Sequence, residues 1–376
     1  MSLTRYSLAA GLAVAAWLPS LAMAQASAYS LSFLNNTLGG STVYAAAINN
    51  QGQIAGTVSD NNTVDMNGST YIIPRSHAVV WSGSSGAMTD LGPYTRASGI
   101  NNQGQVIGST AVSQAWNGSA TVWNGTTATT LGTNAEGRVI NDAGQAVGIT
   151  YTLYHSGYSN ISSTGWNGAA AMPSLGGRWT LVSDINAGGT AVGSAQIDTC
   201  AVYCSDGGAS APYHAVVWQN GAVTELSMLA GGTSSTAAGI NNQGVIVGQA
   251  TAQDGTSHAV EWGSTGLIDL GLGYASKISN TGLIVGGDNN GHAMLWNGTT
   301  GIDLNSLVSL DPGWVLTWAS DVNDVGQIIG TAYNVTLAAS KPFLLTPFAV
   351  PEPGTFSLTL LGLAGLGQIA RRRKAA

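Results

Sequence analysis

The stretch Ile48-Asn49-Asn50-Gln51-Gly52-Gln53-Ile54-Ala55-Gly56 occurs in seven versions along this chain of 376 residues. The versions follow the pattern I-N-x-x-G-x-x-x-G, with Ser279 in place of Asn in the sixth copy and Val322 in place of the first Ile in the last one. The other copies begin at Ile100, Ile140, Ile185, Ile240, Ile278 and Val322, which gives an average spacing of about 46 residues. A repeat of this length is typical of one four-stranded blade of a β-propeller.

Two further patterns complete each repeat unit. The first is H-A-x-x-W, which ends at Trp81, Trp218, Trp262 and Trp296, with worn copies that end at Trp123 and Trp166. The second is a short apolar stretch that ends in Leu-Gly, at Leu91-Gly92, Leu131-Gly132, Leu175-Gly176 and Leu270-Gly271. Val, Ile, Thr and Trp between Gly and Asn clusters are typical of strands, and no stretch of the repeats has a helical period. We therefore predict four short strands per unit and an all-β fold.

The two ends of the repeat array favour a closed ring. The first unit has no H-A-x-x-W stretch, and Tyr29–Leu34 stands where a strand ending in Leu-Gly is expected. The missing strand is found at the other end, as Lys341–Leu345. A C-terminal strand that completes the first blade would close a seven-bladed β-propeller and leave only short, protected edges. The alternative is an open β-solenoid of about seven repeats, which would need distinct capping repeats.

The composition favours a protein with a large core and few groups for acid–base chemistry. Hydrophobic residues make up 44% of the chain and charged residues 8%, and the net charge is −7. A negative chain without basic stripes is not typical of a nucleic-acid-binding protein. The 52 glycines recur at fixed positions of the repeat, which indicates turns rather than disorder.

The N-terminus predicts export. Residues 1–24 contain Arg5, an apolar run from Leu8 to Leu18, and an A-x-A-like site at Ala22-Met23-Ala24, which together are typical of a secretory signal peptide. In an exported protein, the two cysteines Cys200 and Cys204 are candidates for a local disulfide. Four zinc ligands are not found near this pair, so we predict neither a metal nor another cofactor.

The C-terminus has three parts, which begin at residue 350. Pro351-Glu352-Pro353 is followed by an apolar stretch at residues 356–370 and by the basic cluster Arg371-Arg372-Arg373-Lys374. This order, together with a signal peptide, resembles the PEP-CTERM sorting signal. The resemblance implies a bacterial, Gram-negative source, transient membrane retention through a helix at 356–370, and recognition by an exosortase-type membrane enzyme. The mature protein is then expected at the cell surface or outside the cell.

The units between residues 25 and 347 resemble the HAF repeat of exported bacterial proteins. Val79, Val216, Val260 and Met294 stand at the third position of the name-giving His-Ala-Phe, so the match is to a worn variant. The resemblance implies an extracellular repeat protein and supplies no catalytic residues.

The recurrent side chains are interpreted as structural. We expect the His of each H-A-x-x-W stretch to hydrogen-bond neighbouring backbone and the Trp to fill the wedge between blades. The repeated Asn, such as Asn49 and Asn101, is expected to bond backbone in an Asx-turn.

Candidate ligand-binding residues lie in four long loops between the Gly-ending strand and the next H-A-x-x-W stretch. If the ring closes, these loops crowd one sector of one face, where function is commonly found. The candidates are Asp60, Asp65, Tyr71, Arg75, Trp116, Tyr151, Tyr154, Tyr158, Asp198 and Asp206.

Aromatic side chains with a few carboxylates suit sugar recognition by stacking and hydrogen bonding. We therefore expect a noncatalytic surface or matrix protein that binds exopolysaccharide or other matrix components. The alternatives are a propeller enzyme, a hydrolase or lyase acting on extracellular polysaccharide, and a purely structural envelope component. A glycoside hydrolase would need two carboxylates at a defined separation, and the loops indicate no particular pair.

Overall fold

A computed structural model describes residues 28–66, 69–83, 86–110, 118–153, 159–197 and 212–348, and this part of the chain is all-β. The predicted signal peptide, Cys200, Cys204 and the three-part tail lie outside the described residues. The helical element that lies wholly within the described ranges is a 3-10 turn at Leu304–Leu307. None of these residues therefore forms a helix that could cross a membrane.

The strands follow the repeat units, and we number the sheets by unit. Sheet 1 contains β2 (Gly39–Ile48), β3 (Gln53–Asp60), β6 (Ser76–Ser82) and β7 (Ala87–Pro93), with a separate hairpin of β4 (Thr63–Met66) and β5 (Ser69–Ile72). Sheet 2 contains β8 (Thr95–Ile100), β9 (Gln105–Thr110), β10 (Ser119–Asn124) and β11 (Thr127–Thr133). Sheet 3 contains β12 (Ala135–Ile140), β13 (Ala146–Leu153) and β14 (Ser159–Trp166).

The remaining units continue the same order. Sheet 4 contains β15 (Gly176–Ile185), β16 (Ala191–Ile197), β17 (Tyr213–Gln219) and β18 (Ala222–Glu225), and a parallel bridge between Ile161 and Trp179 joins it to sheet 3. Sheet 5 contains β19 (Ser235–Ile240), β20 (Ile246–Thr251), β21 (Ser257–Gly263) and β22 (Gly266–Leu272). Sheet 6 contains β23 (Tyr274–Ile278), β24 (Leu283–Gly287), β25 (Ala293–Asn297) and β26 (Thr300–Asp303).

Sheet 7 joins the two ends of the described chain. It contains β27 (Trp314–Val322), β28 (Ile328–Asn334), β29 (Ala339–Pro347) and, beside β29, the N-terminal β1 (Tyr29–Phe33). β1 runs antiparallel to β29, with Leu31 opposite Leu345. The sequence predicts that the two ends pair, but its expectation that the C-terminal strand completes the first blade is wrong. Sheet 1 is complete with β2, β3, β6 and β7, and the N-terminal β1 completes the last sheet instead.

The glycines of the repeat pattern have separate structural reasons. The first one, for example Gly52 at φ +75°, lies in the turn between the first two strands of a sheet, where a side chain would be strained. The last one, for example Gly56, lies where the second strand crosses a β-bulge of the first. A Cβ at Gly56 would collide with the carbonyl oxygen of Tyr44, and the equivalent collision recurs in every other unit. The pattern therefore fixes a turn and a close contact of the two strands.

Neighbouring sheets pack face to face around buried tryptophans. Trp81 of sheet 1 is fully buried with Ile329 and Leu344 of sheet 7, and Trp123 of sheet 2 packs against Ala55 and Ala78 of sheet 1. The indole of Trp81 donates a hydrogen bond to the Asn35 carbonyl at 2.8 Å, and Trp218, Trp262 and Trp296 make equivalent bonds to the preceding unit. The tryptophans fill the wedge between sheets, as expected from the sequence.

The repeated asparagines link each unit to the next. The Asn49 carboxamide oxygen accepts from the amides of Gln51 and Gln53 at 3.1 and 2.9 Å, which confirms the predicted Asx-turn. Its Nδ2 also donates to the Asn101 carbonyl of the next unit at 3.0 Å. The same inter-unit bond continues from Asn101, Asn141, Asn186 and Asn241, and it runs from Asn323 of sheet 7 back to Asn49 at 2.9 Å.

Two further sequence expectations are wrong. Leu175-Gly176 does not end a strand, because residues 169–175 form no strand and Gly176 begins β15 instead. Pro173 in that segment has no amide to donate to a ladder, and its carbonyl accepts from Trp218. The histidines bond carboxylates rather than backbone: His214 Nδ1 lies 2.6 Å from Glu225, and His77, His258 and His292 pair with Asp90, Asp269 and Asp303 of the neighbouring strand.

Candidate functional site

A central cavity of about 1560 Å³ is lined by the first strand of the sheets. These strands run in one direction, so their C-terminal ends meet at the asparagine turns and their N-terminal ends lie toward the long loops. We call these two ends of the cavity the turn end and the loop end. The cavity is larger than the roughly 300–1,000 Å³ of a small-molecule pocket, so it has room for a segment of a polymer.

The loop end has three arginines on neighbouring units. Arg96 is the second residue of β8, Arg138 is the fourth residue of β12, and Arg75 immediately precedes β6. Tyr44 and Tyr94 line the same end and are 52% and 50% exposed. The loop end therefore offers guanidinium groups beside exposed aromatic rings.

The three arginines differ in their partners. The Arg75 guanidinium lies 2.6 Å from the buried Asp60 carboxylate and 6.0 Å from the centre of the Tyr94 ring. Arg138 lies 3.4 Å from Glu136, and both side chains are more than one third exposed. Arg96 is exposed, and no ion pair or side-chain hydrogen bond of its guanidinium is found within the described ranges. Arg96 is thus the guanidinium most available to a ligand.

Two acidic groups beside these arginines have shifted pKa values. Burial would raise the pKa of Asp60, but hydrogen bonds from Arg75, from the Asn62 amide and from His77 outweigh it and hold this pKa well below its usual range. Burial, together with a hydrogen bond to Glu136, raises the pKa of Tyr151 to about 12. Asp60 is therefore ionised and Tyr151 neutral at physiological pH.

The turn end holds a trio of charged side chains from three different units. Lys277 Nζ lies 2.8 Å from Asp184, and Asp321 of sheet 7 interacts electrostatically with both. The carboxylates also accept backbone amides across sheet boundaries: Asp184 accepts from Ile240 at 3.0 Å and Asp321 accepts from Ile48 at 2.9 Å. The trio therefore joins sheets 4 to 7 and sheet 1 beside the cavity.

The pKa values of the trio follow from its burial. Burial raises the pKa of Asp321 to about 6, although Lys277 and two amides favour its charged form. Burial opposes the charge of Lys277, but Asp184 and Asp321 outweigh it and raise the pKa of this amine. At neutral pH the trio is a charged cluster, with Asp321 as the group nearest to protonation.

The candidates from the sequence divide into three groups. Arg75 and Tyr151 line the cavity, with Asp60 directly behind Arg75. Asp65 and Tyr71 lie on the β4–β5 hairpin and do not line it. The remaining candidates, Trp116, Tyr154, Tyr158, Asp198 and Asp206, lie outside the described residues.

Sequence reasoning missed most of the charged cavity residues. Asp184, Lys277 and Asp321 directly precede the first residue of the repeat pattern in their units, where the other units have Ala47, Gly99, Val139 and Gly239. A charge at a position that otherwise takes small or aliphatic residues is a signal that an alignment of the repeats could have found. No group of three or more His, Cys, Asp or Glu that could hold a metal ion occurs within the described ranges.

Comparison with known families matches residues 349–374 to the PEP-CTERM protein-sorting motif. The motif implies an exported protein that is sorted by an exosortase at the membrane. The match covers the tail alone and leaves the repeats unassigned. No curated protein sequence matches the chain.

The described fold is similar to solved β-propellers. One is the β-propeller domain of the Trilobed protease from Pyrococcus furiosus, with a TM-score of 0.53, 10% identity, and coverage of 82% of this chain and 94% of that chain. Another is an acylaminoacyl peptidase in complex with a chloromethyl ketone, with a TM-score of 0.52 and 10% identity over 81% of this chain. This chain spans about half (51%) of that peptidase. At such identity the similarity shows a β-propeller fold and nothing about activity.

Proposed function

We propose that this protein is an exported, surface-associated β-propeller of HAF-like repeats that binds an extracellular polysaccharide without cleaving it. The observation that supports this most directly is the central cavity of about 1560 Å³, with exposed tyrosines and arginines at its loop end. Export follows from the sorting motif at residues 349–374. A matrix polysaccharide is the ligand class that an exported protein meets outside the cell.

The cavity lining suits a ligand rich in hydroxyl groups. Small hydroxyl side chains recur along it, including Thr42, Thr57, Ser98, Ser109, Ser183 and Thr236. Among the described residues, the large hydrophobic side chains that are strongly exposed in the cavity are Tyr44 and Tyr94. Tyrosine combines an apolar face for stacking on a sugar ring with a hydroxyl for hydrogen bonding.

We also propose that the propeller has seven blades and that β1 closes the ring. Asp324 N donates to Asn50 Oδ1 at 2.9 Å and Asn323 Nδ2 donates to the Asn49 carbonyl, so units seven and one bond each other as consecutive units do. The propeller of the Trilobed protease, in contrast, is described as having an open velcro topology. The pairing of β1 with β29 supports a closed ring in this chain.

A propeller enzyme acting on polysaccharide is the second candidate, and the Asp184–Lys277–Asp321 trio favours it. A buried carboxyl with a pKa near 6 can act as a general acid. Each of the two carboxylates, however, already accepts two backbone amides, from Ile185 and Ile240 for Asp184 and from Ile48 and Val322 for Asp321. A structural role of the trio explains these bonds. The enzyme is therefore the second candidate, after polysaccharide binding.

One chromatography experiment separates the candidates. The full chain, kept soluble in a mild detergent, is incubated with exopolysaccharide from the producing bacterium, and the size distribution of the polymer is followed over time. Protein that co-elutes with polymer of unchanged size is the expected result. Progressive shortening of the polymer would show that the protein is an enzyme and would contradict noncatalytic binding. Separate elution of protein and unshortened polymer would favour a structural role in the envelope.

A further inference from the structure

The positive charges of the propeller are concentrated in one place. Six Lys and Arg residues lie within the described ranges, namely Arg75, Arg96, Arg138, Arg178, Lys277 and Lys341. Four of them, all except Arg178 and Lys341, line the central cavity. The lining also has five acidic residues, of which Asp142, Asp184, Asp321 and Asp324 lie at the turn end and Glu136 lies at the loop end.

Within the cavity the cations separate by their surroundings. Lys277 is neutralised at the turn end by Asp184 and Asp321. At the loop end, Glu136 is the acidic residue that lines the cavity, against Arg75, Arg96 and Arg138. Asp60 neutralises Arg75 from behind, so the loop end keeps an excess of positive charge that rests mainly on Arg96. We call these three arginines the arginine wall.

From this distribution we infer that the arginine wall binds the carboxylate groups of an acidic polysaccharide, a polymer that contains uronic acid residues. This inference rests on the proposed polysaccharide-binding function and names the chemical class of the ligand. Guanidinium groups pair with carboxylates through two parallel hydrogen bonds, which adds geometric specificity to charge attraction.

A saccharide fits the cavity better than an acidic peptide does. Tyr44 and Tyr94 offer flat faces at the same end as the arginines, and Ser98, Ser109 and Thr57 line the same cavity with hydroxyl groups. An acidic peptide would also pair with the arginines, but it has neither the sugar-ring faces that stack on tyrosine nor the many hydroxyl groups that hydroxyl side chains bind. A uronic acid residue matches all three kinds of side chain: its carboxylate pairs with arginine, its ring stacks on tyrosine, and its hydroxyl groups bond to serine and threonine.

The test compares two polymers that differ only in charge. Binding of the full chain to sodium polygalacturonate and to the same polymer after reduction of its carboxyl groups is measured by affinity electrophoresis. We expect the acidic polymer to retard the protein, the reduced polymer to retard it at least about tenfold less, and added salt to weaken the acidic binding. Equal retardation by both polymers would overturn the acidic class and leave the proposed polysaccharide binding intact.

Variants assign the binding to the wall. Arg96→Gln removes the guanidinium of the arginine wall that has no ion pair among the described residues. We expect this variant to bind polygalacturonate about tenfold more weakly. Arg178→Gln makes the same change of charge on an exposed residue outside the cavity and is expected to bind as the parent chain does. Equal weakening by both variants would show a nonspecific charge effect and overturn the site.

Three further outcomes also overturn the inference. Polyglutamate that binds as tightly as polygalacturonate, with the same loss in Arg96→Gln, would identify a general anion or acidic-peptide site. Lack of binding to either form of the polymer, combined with co-elution with the native exopolysaccharide, would reject the uronate and keep the proposed function. Lack of binding to polygalacturonate, to its reduced form and to the native exopolysaccharide would reject both the uronate ligand and the proposed polysaccharide binding.

Discussion

At the scale of single residues, the residue that follows the repeated asparagine also links each unit to its neighbour by a hydrogen bond. Asn50 Oδ1 accepts the Asp324 amide, and Asn102, Asp142, Asn242, Asn280 and Asp324 each accept the amide of the preceding unit in the same way. Unit four has Ala187 at this position, which leaves no side-chain acceptor for the Asp142 amide. The series of inter-unit bonds is therefore interrupted at one known residue.

Ala187→Asn should restore the missing bond. We expect the free energy of unfolding to rise by about 0.5–1.5 kcal/mol, the usual net contribution of one hydrogen bond, as measured by urea denaturation. Ala143→Asn, the same substitution one position further along the turn of unit three, is the matched control and should change stability less. Equal effects of the two variants would contradict the role of this position.

Asp321 makes the stability of the fold depend on pH in a direction unusual for a carboxylate. Burial raises its pKa to about 6, so protonation of Asp321 stabilises the folded chain relative to the unfolded one. The stabilisation is complete below the unfolded pKa of about 3.9 and is lost as pH rises through about 6. Asp321→Asn stays neutral, and its stability relative to the parent chain should rise between about pH 4 and about pH 8 by on the order of 3 kcal/mol.

Urea denaturation of both chains at the two pH values measures this difference. Asp311→Asn removes a carboxylate from an exposed position and controls for the general effect of net charge. A stability difference between Asp321→Asn and the parent chain that stays constant with pH would show that Asp321 titrates normally.

At the scale of strands, sequence reasoning succeeded where local pattern decides the structure. The strands that leave the Ile-Asn step and those that end in Trp follow directly from the repeat, as does the pairing of the two chain ends. It failed at Leu175-Gly176, because Pro173 and the Trp218 contact override a pattern that forms a strand in other units. It also missed the β4–β5 hairpin, since a short insertion has no second copy to compare with.

The pairing of β1 with β29 is open to a substitution test. Leu34 N donates to Pro342 O at 3.0 Å, so the alternation of an antiparallel ladder makes Ser32 opposite Leu344 the next hydrogen-bonded pair. Ser32→Pro removes that donor and should lower the free energy of unfolding by about 3 kcal/mol or more, while Ser32→Ala should change it little. Thermal unfolding measures both, and equal stability of the two variants would mean that β1 does not hold the ring together.

At the scale of the whole molecule, the cavity could not be predicted from the sequence. Arg75, Arg96 and Arg138 belong to three units and become neighbours only when the sheets pack around a common axis. The loop residues were easier to single out, because insertions stand out against the repeat, yet Asp65 and Tyr71 lie away from the cavity. The sequence thus predicts the repeat unit well and predicts poorly the surface that the units form together.

The central claim is that polysaccharide binds inside the cavity, and filling the cavity tests it most directly. Thr236 lies on β19 and lines the cavity, so Thr236→Trp places a large side chain there, whereas Thr129→Trp places the same side chain on the exposed face of β11. The measurement is the retardation of both full-length variants by the native exopolysaccharide in affinity electrophoresis, with thermal unfolding to show that both are folded. We expect Thr236→Trp to lose binding and Thr129→Trp to keep it; unchanged binding by a folded Thr236→Trp would contradict the claim.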